Sequence, residues 1–130
     1  MELLSDDGRL SALELRLAIS ETVTYLQLAG TEAVVYSEGS GDYPAALIIS
    51  AYEQLQRVIE ACGSTLSKLL VFLQAEPGLL TLRLLLQAED LTLANAAFSG
   101  SPDFRQTVSV TKNGPDLLLV LRYQEGGEAL

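Results

Sequence analysis

Apolar residues recur at helical spacing near the start of the chain. In RLSALELRLAISETVTYLQLAG, Leu15, Ile19, Val23 and Leu26 fall on one stripe, and Leu10, Leu13 and Leu17 widen it. This predicts a first helix over residues 10–29, capped by Asp6 or Asp7 and stopped by Gly30. EAVVYS then reads as a short strand and EGSGDYP as a loop, with Pro44 at the first turn of a second helix. That helix runs from about Pro44 to Cys62, with Leu47, Ala51, Leu55, Val58 or Ile59, and Cys62 on its apolar side, and Gly63 ends it.

Beyond Gly63 the period changes from helical to alternating. TLSKLLVFLQ and LLTLRLLLQ are two strands joined by AEPG, where Pro77 and Gly78 suit a type II turn. Leu80, Leu82, Leu84 and Leu86 share one face; Thr81, Arg83, Leu85 and Gln87 share the other, mostly wetter one. AEDLTLANAAFSGSPDF is irregular. RQTVSVTK and DLLLVLRY are two further strands, and the intervening NG signals a hairpin. The expected fold is α/β: a two-layer sandwich with a mixed, mostly antiparallel sheet and its helices on one face. Residues 1–130 read as a single domain, with 1–8 and 124–130 as fraying ends.

Composition narrows the function classes. Eight basic against 17 acidic residues give a formal charge of −9, which argues against nucleic acid and anionic membrane surfaces as partners. No apolar run reaches the roughly 18–20 residues of a membrane span, and no signal peptide is visible. The single Cys62 rules out an intrachain disulfide and suits the cytoplasm; on the apolar stripe it reads as a small buried hydrophobe. With no histidine in the chain, His-dependent triads, His–metal sites and a phospho-accepting histidine are all absent.

The stretch YEQLQRVIEACGSTLSKLLVFL, the hairpin after it and VSVTKNGPDLLLVLRYQEGGE together resemble the C-terminal ATPase domain of bacterial sensor histidine kinases. Those are GHKL, or Bergerat-fold, ATPases, and the resemblance spans about residues 10–127. It places Glu53 on the family's acidic position, Arg57 on the asparagine that ligates magnesium, and Ala61 on the histidine that often follows. Arginine offers donors and no lone pair, so Arg57 does not take the asparagine's role. Asp90 falls near the family's adenine-reading aspartate, but Thr92 stands where the paired glycine belongs. Between Asp90 and Arg105 the only glycine is Gly100, too little for a phosphate-cradling lid. SDDGRLSALELRL also resembles the segment that carries the family's phosphorylated histidine, with Asp6 in the histidine place; the domain's own first helix is the preferred reading.

The resemblance therefore implies a degenerate, non-catalytic signalling domain with no cofactor. It would act through an unidentified protein partner, or with itself as a homodimer through the first helix. The alternative is weak nucleotide or small-anion binding in a reduced pocket formed by Glu53, Arg57 and Asp90. Bland readings stand beside each residue: Glu53 and Glu60 as solvated surface charge, Arg57 as an i,i+4 partner of Glu53, and Glu89–Asp90 as no acid–base pair, because neighbours on a strand diverge. An unrelated interaction module would show a different strand order.

Overall fold

The structure, a computed structural model, describes residues 8–88 and 104–125. Its elements in chain order are β1 (Arg9–Ser11), α1 (Ala12–Leu28), β2 (Glu32–Gly39), β3 (Asp42–Pro44), α2 (Ala45–Cys62), a single 3-10 turn (Gly63–Thr65), β4 (Lys68–Glu76), β5 (Leu79–Gln87), β6 (Phe104–Asn113) and β7 (Asp116–Glu125). Five strands form one sheet in the order β2-β4-β5-β7-β6; β1 and β3 make a separate antiparallel ribbon. Among the described strands of the large sheet, only β2 and β4 run parallel. That pairing follows from the α2 crossover between them.

Each strand of the sheet's centre turns alternate side chains toward the helices. Leu69, Val71, Leu73 and Ala75 of β4 are buried, as are Leu80, Leu82, Leu84 and Leu86 of β5 and Leu117, Leu119, Leu121 and Tyr123 of β7. Against them pack Leu15, Ile19, Val23 and Leu26 of α1 and Leu47, Ala51, Leu55, Val58 and Cys62 of α2. The expected two-layer sandwich with helices on one face is the observed architecture. Cys62 is free and buried, and burial pushes its thiol pKa up.

Four local details differ from the sequence reading. Ser11, not Asp6 or Asp7, caps α1: its hydroxyl accepts from the Glu14 amide while the Glu14 carboxylate accepts from the Ser11 amide. Leu13 and Leu17 do not widen the buried stripe; they are 59% and 54% exposed, because α1 is covered on one side only. EGSGDYP is not simply a loop, since β2 continues to Gly39 and Asp42–Pro44 pairs with Arg9–Ser11. Thr81 lies on the outward side of β5 yet is buried under its neighbours. The turn residues behave as their chemistry requires. Gly78 has φ +73°, and the β6–β7 hairpin turns on Gly114 (φ +63°) and Pro115, with Asn113 paired to Asp116.

Candidate functional site

The residues singled out by sequence lie on α2, whose apolar stripe fixes which way each faces. With Leu47, Ala51, Leu55 and Val58 packed on the sheet, Glu53, Arg57 and Glu60 point outward and are exposed. These three are spaced i, i+4, i+7 and share one side of the helix. No ion pair joins Glu53 to Arg57 among the described residues. Asp90, Thr92, Gly100 and Asp6 lie outside the described residues, so the pocket suggested for Glu53, Arg57 and Asp90 is represented only by its α2 members.

Both flanks of α2 are tied down by polar contacts. Toward α1, the Gln56 amide donates to Thr22 Oγ1 at 2.9 Å, and the Tyr52 hydroxyl lies 3.3 Å from the same oxygen. Toward the sheet, Gln54 and Gln106 exchange amide hydrogen bonds of 3.0 and 2.5 Å, and the Tyr123 hydroxyl donates to Gln54 Oε1. Gln54 is buried, and the Tyr123 hydroxyl is held unionised well above its ordinary value by burial. The Phe104 ring packs against Tyr123 with centroids 6.0 Å apart. Sequence reasoning missed this triad, although its signals were present. Gln54 is a polar residue on the buried stripe of α2, and Tyr123 takes the inward alternation of β7.

The outward side of α2 does not fit a magnesium ion. Arg57 supplies donors only. Glu53 and Glu60 are seven residues apart, about 10 Å along the axis, too far to share one cation. Among the described residues no three acidic or cysteine side chains converge as a metal group.

Comparison with known proteins gives no family-model match and no match to a characterised protein by sequence. Solved structures do match. The catalytic domain of histidine kinase ThkA, in a nucleotide-free form, superposes with a TM-score of 0.63 at 8% identity, covering 92% of this chain and 97% of that one. The chain has the fold of a histidine kinase catalytic domain. The mycobacterial sensor histidine kinase MprB gives a TM-score of 0.56 at 11% identity over 92% of this chain and 99% of that chain. Acinetobacter baumannii histidine kinase AdeS gives 0.55 at 10% identity over 85% and 65%. ThkA is also known in complex with the response regulator protein TrrA. No described helix of the present chain is long and apolar enough to cross a membrane.

Proposed function

We propose that this chain is a non-catalytic histidine-kinase-like domain that works in bacterial, cytoplasmic signal transduction through protein contacts and has lost the ATP site. One observation carries the reading. On the outward side of α2, where the resemblance puts the magnesium-ligating asparagine, an exposed Arg57 stands between two carboxylates too far apart to replace it. In the sequence, Thr92 at the place of the family's paired glycine, and Gly100 as the only glycine between Asp90 and Arg105, support it. The partner is then a signalling protein, and the assembly of ThkA with a response regulator favours that class. A second copy, docked through the exposed side of α1, is the alternative form of the same reading.

Thermal unfolding with and without millimolar ATP or ADP and Mg²⁺ tests it. The expected result is an unchanged midpoint with either nucleotide. Ligand at about 100 times its dissociation constant adds about 2.7 kcal/mol, worth several degrees in a domain of this size. Such a rise would overturn the proposal. It would favour instead a reduced nucleotide pocket using Glu53, Arg57 and Asp90.

A further inference from the structure

Along the parallel β2–β4 pair the inward side chains shrink toward one end. On β4 they run Leu69, Val71, Leu73, Ala75; on β2 they run Ala33, Val35, Ser37, Gly39, and register sets Ser37 beside Leu73 and Gly39 beside Ala75. With Ala12 at the start of α1, these small residues leave a cavity of about 240 Å³ between α1 and the end of the strand pair. Ala12, Leu73 and Ala75 are buried and form its floor. Leu13, Ser37 and Ser40 stand exposed around it.

Arg16 lines the same cavity, and its Nε is buried without a hydrogen-bond partner. Its neighbours one turn away on α1 are Ala12, Leu13, Ile19 and Ser20, so the helix itself supplies no carboxylate to pair with it. Glu38 borders the cavity too, but strand alternation turns its side chain to the opposite face of the sheet, between the inward Ser37 and Gly39. No ion pair joins Arg16 to an acidic residue among those described. A buried donor on a charged group is costly to leave without an acceptor, and such groups are rare in native proteins. The cavity beside Arg16 is where an acceptor can enter.

We propose that this cavity binds a small monocarboxylate with a short apolar tail. The two carboxylate oxygens take the parallel N–H groups on the Nε edge of Arg16, and the Ser37 and Ser40 hydroxyls offer neutral donors in the same wall. The tail lies on Leu13, Leu73 and Ala75. One guanidinium selects a monoanion over a phosphate dianion, for which the lining holds no second cation. An apolar floor with a few polar groups is the usual make-up of a small-molecule site. The volume of about 240 Å³ falls below the roughly 300–1,000 Å³ of sites for drug-sized ligands, which keeps the tail short. No residue of α2 takes part, so the proposal goes beyond the loss of the ATP site and does not depend on it.

The test is an NMR titration of the isotope-labelled chain with sodium butyrate, run beside acetate and the uncharged butyramide. Saturable backbone shifts centred on residues 12–16, 37–40 and 73–75 are expected with butyrate and not with butyramide. Acetate, two methylenes shorter, should bind about tenfold more weakly. Arg16→Gln should abolish the shifts. Arg16→Lys should weaken butyrate about tenfold, because an ammonium is a point charge without the parallel pair of donors. Ser37→Leu, which fills the cavity from its exposed wall and spares Arg16, should also abolish binding. Lys112→Gln, a charge change on β6, should leave it unchanged. Circular dichroism melts of all variants separate lost binding from lost folding. Butyrate shifts centred elsewhere, or shifts that survive in a folded Arg16→Gln protein, would overturn the proposal. So would acetate or butyramide binding as tightly as butyrate, or no saturation in the tens of millimolar.

Discussion

Arg9 and Glu125, 116 residues apart, meet in a two-pronged pair: Arg9 Nη1 lies 2.8 Å from Glu125 Oε2, and Nη2 lies 3.0 Å from Oε1. Arg9 Nη2 also donates to the Asp42 carbonyl at 2.7 Å, so one side chain fastens the β1–β3 ribbon to the end of β7. The hydrogen bonds from Arg9 hold the Glu125 carboxyl below its ordinary 4.5, with the arginine's charge acting in the same direction and burial opposing both. A depressed folded-state pKa contributes stability that is present above the unfolded value and lost as pH falls through the folded one. Acid unfolding should therefore show a loss of stability beginning near pH 4.5 and continuing below it, which Glu125→Gln removes. Both side chains are about one-third exposed. After solvent screening the effect is no more than about 1 kcal/mol. Urea midpoints of the two proteins between pH 3 and 7 would measure it; parallel curves would mean the pair contributes nothing.

Alkaline pH should expose the second buried polar cluster. Burial raises the hydroxyl pKa of Tyr123, and also that of Tyr43, whose hydroxyl donates to the Glu76 and Leu79 carbonyls at 2.6 and 3.3 Å. For a tyrosine held neutral in the folded state, the unfolded chain releases its proton first. Stability is then full below about pH 10 and falls as pH rises through the folded value. Tyr123→Phe should flatten part of that fall, leaving the share due to Tyr43. At neutral pH the same variant should cost only about 1 kcal/mol, because Gln106 still donates to Gln54 Oε1. Gln54→Leu should cost more, about 2–3 kcal/mol, since it strands the buried Tyr123 hydroxyl and takes the hydrogen-bond partner from the half-buried Gln106. Equal losses for the two variants in denaturant titrations would mean that the network is not shared as drawn.

How much of this could be read from the sequence depended on the length of the pattern. Leu80, Leu82, Leu84 and Leu86 alternate over a whole strand, and the α2 stripe runs for five turns, so both were legible together with the layer they face. The β1–β3 ribbon was not, because each strand has three residues and its partner lies more than 30 positions away. Ser11 and Glu14 do spell a capping box, but acidic residues upstream offered competing caps. Glu53 and Arg57 were located correctly on α2. Gln54, the residue beside them that reaches the sheet, was overlooked because one polar position does not interrupt a stripe of apolar ones. That Arg83, Arg122 and Arg105 sit on three adjacent strands was invisible for a different reason. Arg83, Arg105 and Arg122 are scattered along the chain, and only strand order and register bring them together.

Gly39 marks where the parallel β2–β4 pair ends. Its φ is +84°, and a Cβ there would stand 2.0 Å from the Ala75 carbonyl oxygen, a backbone atom that cannot swing aside. Gly39→Ala combines a left-handed backbone with a main-chain clash, and should cost about 2–3 kcal/mol or more. Gly30→Ala is the informative comparison. Its φ of +98° carries the same kind of strain, but the space around it is open, so its loss should be smaller. Equal losses in thermal melts would assign the whole cost to backbone strain and none to the β2–β4 approach.

The two sides of α1 should respond differently to truncation. Ile19 is fully buried among core residues, so Ile19→Ala should cost about 2–5 kcal/mol by lost burial and the cavity left behind. Leu13 and Leu17, one turn apart on the outer side, are more than half exposed, and Leu13→Ser or Leu17→Ser should stay within about 0.5 kcal/mol. Those values hold for a chain whose outer stripe faces water. If either serine variant lost more than about 1 kcal/mol, and the loss grew with protein concentration, the stripe would be covered by a second copy. The α1-mediated dimer would then displace a separate protein as the first partner to characterise.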